Sequence, residues 1–319
     1  DGDVQPFTKR FEDPLTAVRT RLTIAEAYFE LAKKHRRMGQ DELTEQEIAT
    51  GKRLLEEALR DYPDTNARAQ VDYLLANLSL EFAEEADDEQ VQKKHHAEAL
   101  GRFSAIVSTY RESSYAPKAQ YKKAMTLEKM GQMDRACEEY VKLSYRWPDD
   151  PLIAETIARL GQYFVRKGKE LHAQAEEMED PLEAEKTRME STEHFVTGGK
   201  VFGRLAVRFP THRLADKTTA VSAQCFLRAK DYEEAVSVFG KVINNDKADK
   251  DLRAESMYWA ADCYMRQAAQ READKNLLAA YRLFKDLTWD FPESKWAKYA
   301  RGRLAGEDLA AFDTVSEDE

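Results

Sequence analysis

Apolar positions recur along this chain in steps of four and then three. The step appears at Ala99, Phe103 and Ile106, and again at Ala136, Tyr140 and Leu143. It returns at Ala235, Phe239 and Val242, and at Ala280, Phe284 and Leu287. Such spacing places all three side chains on one helical face. The alanine lets a neighbouring helix approach closely, and the aromatic or aliphatic residues fill the space beyond it. Polar and charged residues occupy the intervening positions, so the pattern predicts amphipathic helices. No segment shows a convincing strand alternation.

Each apolar triplet stands at a similar distance before a chain-reversing phrase. Aromatic-Pro pairs occur at Tyr62-Pro63, Trp147-Pro148, Phe209-Pro210 and Phe291-Pro292, and Tyr110-Arg111 is a copy without the proline. Proline lacks the N–H that a helix needs and clashes with the preceding turn. Thr65, Ser113, Asp150 and Ser294 follow as N-cap candidates, with His212 or Thr211 in the remaining copy. The phrase therefore predicts a helix stop, a turn and a new helix start. Beyond it, a small residue precedes a bulky one by three places, as in Ala124 with Leu127, Gly161 with Phe164, Ala223 with Phe226 and Ala261 with Tyr264. Helix pairs are expected near 15–61, 65–110, 114–147, 150–209, 213–246 and 249–291, with a closing helix over 294–304. Residues 1–14 are expected as an N-terminal extended arm and 305–319 as an acidic tail. The segment 169–194 carries extra length, as two extended helices meeting near Asp180-Pro181.

This alternation, with Gly131 between the helices of one pair, resembles the tetratricopeptide repeat; the best copies run from about Ser114 to Pro148 and from His212 to Lys247. The family tryptophan at the start of the first helix is missing. The resemblance implies an all-α fold, a right-handed superhelical α-solenoid of about six hairpins with a closing helix. It also implies a concave groove lined from the first helix of each pair. Counted from the small packing residue, the lining places fall on Tyr73 and Asn77, then Tyr121 and Met125, then Gln162 and Arg166. They continue at Gln224 and Arg228, and at Tyr258, Asp262 and Arg266. Tyr, Met, Arg and carboxamides suit a protein or peptide partner. The competing expectation is that Tyr73, Tyr121 and Tyr258 pack between neighbouring pairs. The basic, Asn-rich groove that binds chaperone tails in this family is not reproduced. The aromatic-Pro-x-Ser/Thr phrase also resembles repeats of bacterial cell-envelope proteins, implying a periplasmic or outer-membrane-associated setting; the cytoplasm is the alternative.

Composition narrows the function class. The chain has 319 residues, 34% of them charged, with only 13 Gly and 9 Pro, and a mean hydropathy of −0.70. These values suit a thin, solvated, helical body. A formal charge of −10 opposes general nucleic-acid binding, and KKHRR at 33–37 reads as a solvated helix face. No apolar run is long enough to span a bilayer, though a leader or lipid anchor upstream of Asp1 stays open. Cys137, Cys225 and Cys263 form no metal or disulfide spacing. His35, His95, His96, His172, His194 and His212 form no ligand pattern. DKADKD at 246–251 lacks the glycine of a calcium loop. TGGKVFG at 197–203 does not match a phosphate loop, and Gly198 falls where the repeat needs a small packing residue. With no nucleophile signature, the expectation is a non-catalytic scaffold without cofactor or metal. A self-associating structural subunit is the alternative, and a ligand-binding sensor a third.

Overall fold

The computed structural model describes residues 14–61, 65–310 and 312. The expected arm before Pro14, the Tyr62-Pro63 anchor and the tail from Asp313 lie outside the described residues. Among the described residues every regular element is a helix. The chain divides into two compact units, the first ending at Leu152 and the second starting at Ile153.

The first unit holds three hairpins. They are α1 (Pro14–Arg37) with α2 (Asp41–Asp61), α3 (Thr65–Glu85) with α4 (Glu89–Thr109), and α5 (Ala116–Lys129) with α6 (Met133–Arg146). The helix α3 is apolar on two sides because it is shared. Val71, Leu78 and Phe82 pack with Leu22, Phe29 and Leu55, while Ala69, Ala76 and Leu80 pack with Phe103 and Ile106. A helix gripped from both sides has no clean polar face.

The second unit contains α7 (Ile153–Glu177) with α8 (Pro181–Arg208), α9 (Ala215–Arg228) with α10 (Tyr232–Ile243), and α11 (Lys250–Ala268) with α12 (Ala273–Asp290). Two short helices, α13 (Lys295–Leu304) and α14 (Glu307–Ala310), close it. Leu309 is buried in the α11–α12 cluster and Phe312 packs against it, so order continues past residue 304, where the acidic tail was expected to begin. Here α11 is the shared helix: Ala260 and Cys263 face α10, and Ala254, Met257 and Ala261 face α12.

The repeated phrase has one geometry. At Tyr110, Trp147, Phe209 and Phe291 the aromatic N–H donates to the carbonyl four residues back, at 2.8 to 3.1 Å. Its own carbonyl accepts from the residue three places on, at 3.0 to 3.1 Å. Proline at the second position of such a turn needs no N–H and already has the required φ. The aromatics leave the helix with φ between −115 and −132°. Ser294 caps α13 as expected, accepting from Ala297 N–H at 3.0 Å. Ser113, Asp150 and His212 stand further upstream than a cap. Each accepts instead from the N–H two residues on, and the helix starts after that turn. Thr65 is the first residue of α3, and its side chain lies outside the described residues.

Within hairpins, α1, α5 and α9 end alike. After α5, Gln132 N–H reaches Leu127 O and Gly131 N–H reaches Glu128 O, with Gly131 left-handed at φ +73°. Gly39 holds that place after α1, and Lys230, at φ 61°, after α9. Close approach inside α7–α8 uses glycine. A Cβ at Gly161 would lie 2.7 Å from the Phe202 ring, and one at Gly168 would lie 3.2 Å from Phe195.

Candidate functional site

The predicted lining positions separate into those that pack and those that remain available. Tyr73 lies 5.8 Å from Phe103 and 5.4 Å from Tyr115 between ring centroids, and burial pushes its hydroxyl pKa up. Tyr121 meets Tyr140 of its own hairpin in a tilted contact, with ring centroids 5.7 Å apart. Tyr258 sits among Trp259, Phe284, Trp296 and Tyr299, joining α11 to α12 and α13. All three tyrosines therefore have aromatic packing partners, Tyr121 within its own hairpin and Tyr258 across to the closing helix.

Asp262 is a packing anchor as well. It is 3% exposed, and its two oxygens each accept at 2.6 Å, one from Arg266 Nε and the other from Arg303 of α13. The hydrogen bond to Asp262 is the main reason the Arg266 pKa is raised. Gln224 donates to Glu255 at 3.1 Å, and Arg228 lies 5.9 Å from the Phe195 ring centre. Gln162 and Arg166 are exposed on α7.

Two of the predicted residues come together. Asn77 of α3 and Met125 of α5 line one cleft of about 160 Å³, with Leu80, Glu81, Glu84, Lys122 and Lys129. Both are first helices of adjacent hairpins. Asn77 donates from Nδ2 to Tyr73 O at 2.8 Å, which leaves Oδ1 as its acceptor for a ligand. Leu80 and Met125 supply a soft apolar surface. The charged rim is ordered by ion pairs. Lys33 of α1 bridges Glu30 at 2.5 Å and Glu81 at 2.8 Å, and Lys129 pairs with Glu84. Burial lowers the Lys33 pKa, but the hydrogen bonds to Glu30 and Glu81 outweigh it and leave the pKa raised. Lys122 has no carboxylate partner among the described residues. The cleft thus offers a carboxamide, a free ammonium, carboxylates and a thioether. That set is chemically suited to holding a side chain with its adjoining backbone.

Of the residues lining this cleft, the sequence singles out Asn77 and Met125 and not Leu80, Glu81, Glu84, Lys122, Thr126 or Lys129. Steps of three and four along the same faces lead from Asn77 to Leu80, Glu81 and Glu84, and from Lys122 to Met125 and Lys129. Counting only two places per helix stopped a turn early.

Other candidate chemistry resolves into packing. Burial pushes the thiols up, to about 11 at Cys137 and about 12 at Cys225 and Cys263, so little reactive thiolate forms. Gly198 packs against Phe164 and Val165, and Gly199 against Phe226. Among the described residues no His, Cys, Asp and Glu group could hold a metal ion, and no helix is long and apolar enough to cross a membrane.

The fold is a row of helical hairpins, each packed on its neighbours within a unit. The tetratricopeptide repeat family profile matches residues 118–150 and 222–247, which fall on α5–α6 and α9–α10. No curated protein matches the chain. Similar solved structures include Pseudomonas aeruginosa pilF, at 14% identity and TM-score 0.34, over 89% of this chain and 99% of that one. The nuclear import adaptor Nro1 of S. pombe is similar at 12% identity and TM-score 0.40, over 90% and 99%. A tetratricopeptide repeat protein from Parabacteroides merdae is similar at 14% and 0.28, over 87% and 97%.

Proposed function

We propose that this chain is a non-catalytic scaffold that binds an extended segment of a protein partner in the α3–α5 cleft. Tetratricopeptide repeats generally mediate protein–protein interaction. The observation that carries the reading is the convergence of Asn77 and Met125 on one cleft beside the unpaired Lys122. An acceptor amide and a thioether suit main chain and an apolar side chain, and Lys122 favours an acidic neighbour in the ligand.

The test is selection of displayed peptides against the full chain, followed by measured affinity for variants. Asn77→Ala with Met125→Glu is expected to weaken selected peptides by about tenfold or more, with helicity and melting unchanged. Equal affinity for the intact and doubly substituted chains rules the cleft out.

Self-association is the second reading, favoured by Leu182 and Met189, which stand exposed on α8. Light scattering over a concentration series separates it, since a monomer throughout excludes it. The aromatic-Pro phrase supports a bacterial envelope setting, and fractionation of cells carrying the native gene decides it.

A further inference from the structure

A second cleft in the first unit lies among α4, α5 and α6. It measures about 340 Å³ and is lined by Ser104, Ala105, Val107 and Ser108 of α4, Arg111 of the turn that follows, Lys123 of α5 and Arg146 at the end of α6. No carboxylate is among its lining residues. Lys123 is held at 3.1 Å by Glu139, which is 7% exposed. Glu139 also receives Lys142 at 2.7 Å and the Gln120 amide. Burial pushes the Glu139 pKa up, but these hydrogen bonds outweigh it and hold the carboxyl below its usual range. One carboxylate therefore anchors two ammonium groups.

Arg111 and Arg146 have no ion pair with any described residue. Other arginines, such as Arg36, Arg53 and Arg166, are also without one, but here two converge on one cleft with a lysine and no lining carboxylate. The chain as a whole carries a net charge of −10, so this basic cluster stands against the overall balance. The helices α4 and α6 end here, and each C-terminus contributes roughly half a negative charge. Against this stand two unpaired guanidinium groups and two lysines on one carboxylate, leaving a surplus of roughly two positive charges. Ser104 adds a hydroxyl with no partner among the described residues.

We infer that this cleft binds a phosphate-class oxyanion, free or as a phosphate ester. Guanidinium forks donate paired hydrogen bonds to tetrahedral oxyanions, the ammonium adds a point charge, and the serine hydroxyl can donate to a further oxygen. Val107 gives an apolar wall for a group attached to the phosphate. The inference concerns a different cleft from the proposed peptide site, so either can fail alone.

The test is calorimetric titration of the full chain with inorganic phosphate, phenyl phosphate and, at matched ionic strength, sodium chloride. Saturable one-to-one binding of phosphate but not chloride is expected. Arg111→Ala with Arg146→Ala is expected to weaken it by about tenfold or more. Lys118→Ala with Arg204→Ala removes the same charge elsewhere and is expected to leave binding unchanged. Tighter phenyl phosphate than inorganic phosphate identifies an ester as the ligand; equal affinities identify free phosphate. Phosphate heats matched by chloride, or a double arginine variant with unchanged affinity and melting, overturn the inference.

Discussion

Single residues in this chain are judged by what surrounds them rather than by type, and glycine shows this best. A helical Gly→Ala change ordinarily stabilises by about 0.5–1 kcal/mol. Gly101 and Gly240 have nothing within 4 Å of a built Cβ, so alanine there is expected to raise the melting temperature. Gly161→Ala is expected to lower it, because its Cβ would meet the Phe202 ring. Lys230 occupies a left-handed position that Gly131 fills in the equivalent turn. Lys230→Gly is expected to stabilise by about 1 kcal/mol, read from urea midpoints, and a loss of stability would contradict that account of the turn. Two histidines add a pH dependence. Burial, the largest influence, lowers the pKa of both His95 and His96; Glu98 and Glu84 oppose it, while Arg36 and Lys129 add to it. A depressed folded pKa means that the unfolded chain takes up protons first. Their contribution is full above the ordinary value of 6.5 and is lost as pH falls through and below it. Urea unfolding at several pH values should show this slope, and it should shrink in His95→Gln with His96→Gln.

At the scale of elements, the closing helix depends on one buried carboxylate. Asp262 holds Arg303 of α13 and Arg266 of its own helix. Asp262→Ala is expected to cost about 2 kcal/mol, less than for a fully buried pair because both arginine heads are half exposed. Hydrogen exchange should rise first in α13, and uniform protection there would show that Trp296 alone holds the helix. This anchor was not legible beforehand. The sequence places Asp262 on the expected lining face, but Arg303 lies 41 residues away and only packing brings it there. The hairpins were far more legible. Ala99, Phe103 and Ile106, or Ala280, Phe284 and Leu287, are all buried as the four-then-three step requires. Local periodicity carries that information within a few turns. Cap positions were read too close to the helix, because Ser113, Asp150 and His212 first stabilise a turn.

For the whole molecule, both units are built from hairpins that meet mainly their chain neighbours, so each shared helix links two layers. Changes in α3 or α11 should spread to both adjoining clusters, whereas changes in α2 should stay local. The same arrangement leaves side chains between first helices without an intramolecular partner, as at Lys122. Whether that surface receives another polypeptide is best decided by photo-crosslinking in the native cell, with a photoreactive residue at Met125 or, as the control, at Gly240. The account predicts a discrete adduct from Met125 that maps to one short segment of one protein and is absent from the control. Equal labelling at both positions, or no adduct at Met125 in a folded chain, would contradict it.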